Sequence, residues 1–221
     1  VYEYQYPHPA VSVDIVAISL IETKLCLRLI KRSHSPYKGH WALPGGFVHI
    51  DETLDAAARR VLLEETGIRK AYWEQLYTFG EPNRDPRERV ISVAYLVLIP
   101  MHLLQNEAWD EAAHSQWFAV QELPRLAFDH SDMILQAHMR LISKLDYSSI
   151  AFCLLPEKFT LSQVQEIYEH ITQKAYEKRN FRKQLLSREI LKDTGEQTKG
   201  AAHRPAKLFQ LKNTGRLQYW N

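Results

Sequence analysis

Cysteine is scarce in this chain: there are two among 221 residues, Cys26 and Cys153, far apart and each in an apolar stretch. Neither has a metal-motif spacing, so a disulfide scaffold or a zinc knuckle is disfavoured and buried free thiols in a reducing compartment are expected. Long apolar runs are lacking too. None approaches the roughly 20 residues that cross a bilayer, and Val1-Tyr-Glu-Tyr-Gln5 has no signal-peptide pattern. The expected setting is the cytoplasm, with no membrane partner. What is present suits a folded protein. The 45% hydrophobic content supplies a sizeable core, and the length accommodates one large domain or two modest ones.

Charge is nearly balanced but unevenly placed. Residues 1–150 carry 15 Lys and Arg against 19 Asp and Glu, whereas residues 151–221 carry 13 against 7. An acidic body with a basic appendage is a common layout when the appendage meets nucleic acid, although a solvated basic face has the same composition.

The first part reads as alternating strands and helices. Ala10 to Ser19 and Lys24 to Lys31 have β-branched or alternating apolar patterns, and Tyr72 to Tyr77, Val90 to Ile99 and His114 to Phe118 are further strand candidates. Asp129 to Leu145 is amphipathic and predicts a helix packed across the end of the domain.

One segment carries chemistry. Pro44-Gly45-Gly46 leads into Phe47-Val-His-Ile-Asp-Glu52, and Thr53 to Glu65 is rich in helix formers, with no Pro or Gly, before Gly67 closes it. Gly45 and Gly46 permit a tight turn and a close backbone approach to a ligand. Positions 61, 64 and 65 are spaced i, i+3 and i+4 and share a helix face. Three carboxylates there would make an oxygen-rich site for Mg²⁺, able to polarise a diphosphate and activate water. Here the face holds Val61, Glu64 and Glu65. A plain amphipathic helix with solvated Glu residues also accounts for part of this pattern.

The run from Gly46 to Ile68 resembles the Nudix box, G-x5-E-x7-R-E-U-x-E-E-x-G-U with U apolar, and matches every fixed position except the Glu after Arg60, which is Val61. The resemblance implies an α/β fold, the Nudix α/β/α sandwich with a mixed sheet. It also implies that Glu52 helps hold the loop, that Arg60 orients the carboxylates, and that Glu64 and Glu65 ligate Mg²⁺ in a weakened site. Arg60, Glu64 and Glu65 are thus the candidate catalytic residues. Losing a positioned base commonly costs about 10²–10⁴ in rate, so efficient cleavage is not expected.

A second segment, Thr78 to Arg89, joins two strand candidates and holds Arg84, Asp85, Arg87 and Arg89. The planar fork of Arg suits a diphosphate, and the segment looks like the corresponding loop of ADP-ribose-type Nudix proteins. An exposed loop whose Arg residues meet Asp85 and Glu88 is the plainer alternative. The candidate ligand-binding residues are Gly45, Gly46, Glu52, Arg84, Arg87 and Arg89.

The tail completes the pattern. Thr160 is a candidate N-cap before Leu161, Val164, Ile167, Tyr168 and Ile171, and a second helix follows with Phe181, Leu185 and Leu186 inward. Lys178, Arg179, Asn180, Arg182 and Lys183 are its candidate DNA-contacting residues, as expected for a helix-turn-helix. Ile190 to Thr194 and Ala206 to Leu211 can pair as a wing around a loop with Lys199, Gly200, His203 and Arg204, of which His203 and Arg204 are the further DNA candidates. A Nudix domain (1–148) followed by a small winged helix-turn-helix domain (149–221) looks like the Nudix-related, NrtR-like transcriptional regulators, including sugar-catabolism regulators of Bacteroidetes type. That resemblance implies a homodimer that binds operator DNA and senses ADP-ribose, a related nucleotide-sugar or a sugar. The competing expectation is an Mg²⁺-dependent hydrolase splitting ADP-ribose, or a related nucleoside diphosphate derivative, to AMP and a sugar phosphate.

Overall fold

A computed structural model describes residues 5–69, 71–104, 114–198, 205–213 and 217–220. One mixed sheet organises the first part. Its strands are β1 (Ala10–Ile21), β2 (Lys24–Lys31), β3 (Trp41–Ala42), β4 (Gly45–Phe47), β5 (Tyr72–Phe79), β6 (Val90–Ile99) and β7 (Ser115–Ala119). The order runs β3-β2-β1-β6-β5, with β4 on β1 and β7 on β2. Among the described strand pairs only the central β1–β6 pair is parallel, from Ala10 opposite Val90 to Ser19 opposite Ile99. Its residues are therefore covered on both faces and read as near-continuous apolar runs.

Side-chain alternation along β1 and β6 sorts the core into two layers. Val13, Ile15 and Ala17, with Val93, Tyr95 and Val97, meet Ala57, Ala58, Val61 and Leu62 of helix α1 (Leu54–Thr66). Val16, Ile18, Leu96 and Leu98 face the other way, toward α3 (His130–Tyr147), which follows the short α2 (Met101–Leu104). α1 starts where Thr53 accepts a hydrogen bond from the Ala56 N–H. It stops at Gly67, whose φ of 75° is the left-handed conformation of a helix C-cap.

The tail forms α4 (Leu161–Thr172), α5 (Lys178–Ser187) and a two-stranded ribbon, β8 (Leu191–Gln197) with β9 (Lys207–Leu211). The predicted Thr160 cap is present as a capping box: Thr160 accepts from Gln163 N–H, and the Gln163 side chain accepts from Thr160 N–H. Apolar contact continues across residue 148. Leu145, Ile150, Phe152, Phe159, Ile167, Phe181 and Phe209 belong to the same buried cluster as Leu27 and Leu96. α3 also joins α4 through polar contacts, since Tyr168 Oη donates to the Leu145 carbonyl at 3.2 Å. Among the described residues no helix is long and apolar enough to cross a membrane. Cys26 is buried and Cys153 partly so, both free, and burial pushes both thiols up, that of Cys153 to about 12.

Candidate ligand cavity and nucleic-acid interface

The sheet face opposite α1 holds a cavity of about 220 Å³. Its floor is polar. Asp14 lies in the middle of β1, buried, accepting a hydrogen bond from Ser92 Oγ and lying 3.6 Å from His130 Nε2. His130 Nδ1 accepts the Leu43 N–H at 2.9 Å, which fixes the neutral tautomer with its proton on Nε2, toward Asp14. Burial holds the His130 pKa below its ordinary 6.5 despite Asp14 and Asp129.

Gly45 and Gly46 line this cavity, for a different reason than a turn. Both lie in β4, paired with Asp14 and Val13 of β1. A Cβ on Gly45 would collide with the Asp14 carboxylate, and one on Gly46 would come within 2.9 Å of Val61 Cγ2. The glycines are needed for close packing of strand on strand and strand on helix.

The three arginines of the 78–89 segment part company. Arg84 is buried and lines the cavity, with its fork closed on Asp129 at 2.8 and 2.7 Å and Asp14 3.7 Å away. Arg87 also lines the cavity, partly exposed, and clasps Asp85 through Nε and Nη2 at 3.0 and 2.7 Å. Burial by itself raises the Asp85 carboxyl, yet the Arg87 hydrogen bonds take it below its ordinary value. Arg89 is exposed and does not border the cavity.

The box helix stands on the other side of the sheet. Arg60 gathers the loop, donating to both Glu52 oxygens, to the Phe47 carbonyl at 3.0 Å and to Glu64 at 3.2 Å. The Arg60 fork and the His49 N–H pull the Glu52 carboxyl down to about 2. Glu64 and Glu65 are exposed and lie outside the cavity lining. Neighbouring protein atoms that displace water, and then the Glu64 charge, raise the Glu65 carboxyl above its ordinary value. Val61 is 1% exposed, packed in the apolar layer between α1 and the sheet. Divalent metal is the general partner of Nudix hydrolases, but these side chains fit one poorly: Glu64 is tied to Arg60, and position 61 offers an alkyl group. Among the described residues no three His, Cys, Asp or Glu side chains gather as a metal site. Glu111, a loose sequence candidate for replacing the missing Glu, lies outside the described residues.

On α5, Lys178, Arg179, Asn180 and Lys183 are exposed, while Phe181 and Leu185 anchor the helix. Arg182 is half-buried and donates to Ser162 Oγ at 3.1 Å, tying α5 to the start of α4. Leu186, expected inward, is 46% exposed. The ribbon strands β8 and β9 pair as a wing, but His203 and Arg204 lie outside the described residues, as do Lys199 and Gly200.

The Nudix domain pattern matches residues 8–137, and the NrtR DNA-binding winged helix domain matches residues 151–211. This chain belongs to the NrtR-type Nudix family. It is 39% identical, over 93% of its length and 83% of the relative's, to the ADPR responsive transcriptional repressor NtrR of Acinetobacter baylyi. Over 61% of the chain and 76% of the relative it is 41% identical to an ADP-ribose pyrophosphatase of Methanocaldococcus jannaschii. In structure it resembles NrtR of Shewanella oneidensis complexed with a 27mer DNA, at TM-score 0.81 and 34% identity, covering 91% of this chain and 93% of that one. The Nudix domain of the same protein, complexed with ADP ribose, is 32% identical at TM-score 0.54, covering 63% of this chain and 94% of that one.

Sequence reasoning missed Asp14, Arg32, Phe128, Asp129 and His130, all of which shape the cavity or its buried network. Asp14 had a signal: a carboxylate within the apolar run Val11 to Ile18 requires a buried partner. The others are lone residues whose proximity is tertiary.

Proposed function

We propose that this chain is a ligand-responsive transcriptional regulator: the cavity under β1 takes ADP-ribose or a related nucleotide-sugar, and α5 with the wing holds operator DNA. The observation that carries it is the exposed cationic face of α5, built on a core continuous with the sheet that forms the cavity. A tight fit between Val61 and Gly46 in place of a third carboxylate favours sensing over cleavage. Residues 1–148 form the effector part and 149–221 the DNA part, in a cytoplasmic homodimer. Gly45, Gly46, Arg84 and Arg87 shape the effector site, Glu52 and Arg60 support its loop, and Arg89 approaches the ligand from outside. Lys178, Arg179, Asn180, Arg182, Lys183, His203 and Arg204 form the DNA surface. The relative from Acinetobacter baylyi is an ADPR responsive repressor, and the response proposed for this chain is release of DNA when the cavity is occupied.

The test is binding of the full chain to duplexes from its own promoter region, by fluorescence anisotropy, with and without ADP-ribose. Binding to none of them at low salt would sink this function.

The competing activity, cleavage of ADP-ribose to AMP, is disfavoured because Glu64 is tied to Arg60 and position 61 holds a buried Val. Turnover abolished by Glu65→Gln would establish it; a rate equal to the protein-free reaction would dismiss it.

A further inference from the structure

Arg32 is the cavity-lining guanidinium without a carboxylate. Among the described residues, Arg84 pairs with Asp129 and Asp14, and Arg87 with Asp85, while Arg32 takes part in no ion pair. Its backbone is pinned on both sides: its N–H donates to the His40 carbonyl at 2.9 Å, and its carbonyl accepts from Gly39 N–H at 2.8 Å. Nε donates to the Pro36 carbonyl at 2.8 Å. The guanidinium is thus held in advance, with its two Nη groups as the remaining donors.

Phe128 lies against both Arg32 and Arg87. Arg32 Cζ lies 4.7 Å from the Phe128 ring centre and Arg87 Cζ 5.9 Å from the same ring. Phe128 has a φ of +52°, a left-handed conformation that bulky residues avoid and that concentrates at ligand sites. Burial, and then the neighbouring Arg87 charge, lower the Arg32 pKa. An anion seated between the two guanidinium groups, on the Nη donors not already bonded, would relieve that repulsion.

We propose that Arg32 is a ligand-binding residue of this cavity, closing with Arg87 on a phosphate group of the effector. Planar forks suit phosphate oxygens, and hydrogen bonds between ionised partners are about twice as strong as neutral ones. At about 220 Å³ the cavity falls short of the roughly 300 Å³ at which pockets begin to enclose a drug-sized ligand. It therefore takes the central diphosphate of an ADP-ribose-like molecule and leaves much of the rest outside. The clamp rests on the effector class proposed for the cavity.

Isothermal titration of the full chain with ADP-ribose, and separately with inorganic pyrophosphate, tests it in wild type, Arg32→Ala and Arg32→Lys. Arg32→Ala is expected to weaken both ligands by about 10-fold or more, and Arg32→Lys, which keeps the charge without the fork, to lie between. An unshifted melting temperature separates this loss from misfolding; if the Ala variant melts early, Arg32→Lys alone decides. Wild-type affinity for both ligands in the variants overturns the clamp and leaves ADP-ribose sensing in place. Arg32-dependent binding of pyrophosphate without binding of ADP-ribose keeps the clamp and removes ADP-ribose as effector. Binding of neither ligand by the wild type overturns both.

Discussion

The Arg84 fork closes on both oxygens of Asp129, at 2.8 and 2.7 Å, and so ties the cavity to the residue that precedes α3. Asp129 caps no N–H of α3 with its side chain; the carboxylate is turned to Arg84 instead. α3 then runs from the cavity, where it starts with His130, to α4, where His138 Nε2 meets the Ile171 carbonyl at 2.7 Å. One helix thus touches both the cavity proposed for the effector and the α4–α5 helix pair. Coupling between two sites requires an element that each of them biases, and α3 is placed to be that element.

Breaking the pair leaves buried Arg84 with only the more distant Asp14, or leaves part-buried Asp129 without its fork. Arg84→Ala or Asp129→Ala is expected to lower stability by about 3–5 kcal/mol, read from urea unfolding midpoints. The double variant should cost less than the two single losses together, because the partners are in contact. Strict additivity would mean that the two side chains do not support one another.

The contact between β4 and α1 predicts a rescue. Gly46→Ala forces a Cβ to within 2.9 Å of Val61 Cγ2 and is expected to destabilise by about 1–3 kcal/mol. Val61→Ala alone also costs stability, by loss of buried methyl groups. Combined, the second change makes room for the first, so the pair should cost less than the separate effects. A combined loss equal to the separate ones would remove the contact from the account.

His130 predicts a pH dependence with a definite sign. Its folded pKa is depressed, so as pH falls below about 6.5 the unfolded chain takes up a proton that the folded chain refuses. Neutral His130 therefore contributes stability above that pH and loses it as pH falls toward the folded value. Urea midpoints at pH 7.5 and 5.5 should drop further for wild type than for His130→Gln. Equal drops would show that His130 titrates as freely folded as unfolded.

The exposed charges of α5 predict a salt effect. Each of Lys178→Ala and Lys183→Ala should weaken duplex binding and shallow the slope of log K against log salt by about 0.9. Arg182→Ala is expected to weaken binding as well and, because it also removes the bond to Ser162, to lower the melting temperature. Salt slopes unchanged by either Lys variant would take α5 off the DNA.

Much of this was legible in the chain. The apolar runs Ala10–Ser19 and Val90–Ile99, the helix formers from Thr53 to Glu65, the Thr160 cap and Gly67 define local structure through local rules, and the elements fall close to where those rules place them. The cavity was half legible. Gly45, Gly46, Arg84 and Arg87 line it, but the box carboxylates Glu64 and Glu65 lie beyond its lining, because alternation along β1 sends Asp14 to one face and the partners of α1 to the other. Arg32, Phe128 and His130 come from three separate stretches of chain, and nothing in their spacing reports that they meet.

The most direct test adds ADP-ribose to a preformed complex of the full chain with its promoter duplex, following anisotropy and AMP release together. The account predicts that the duplex is released while ADP-ribose stays intact. A duplex still held at saturating ADP-ribose, or released only as AMP accumulates, would contradict it.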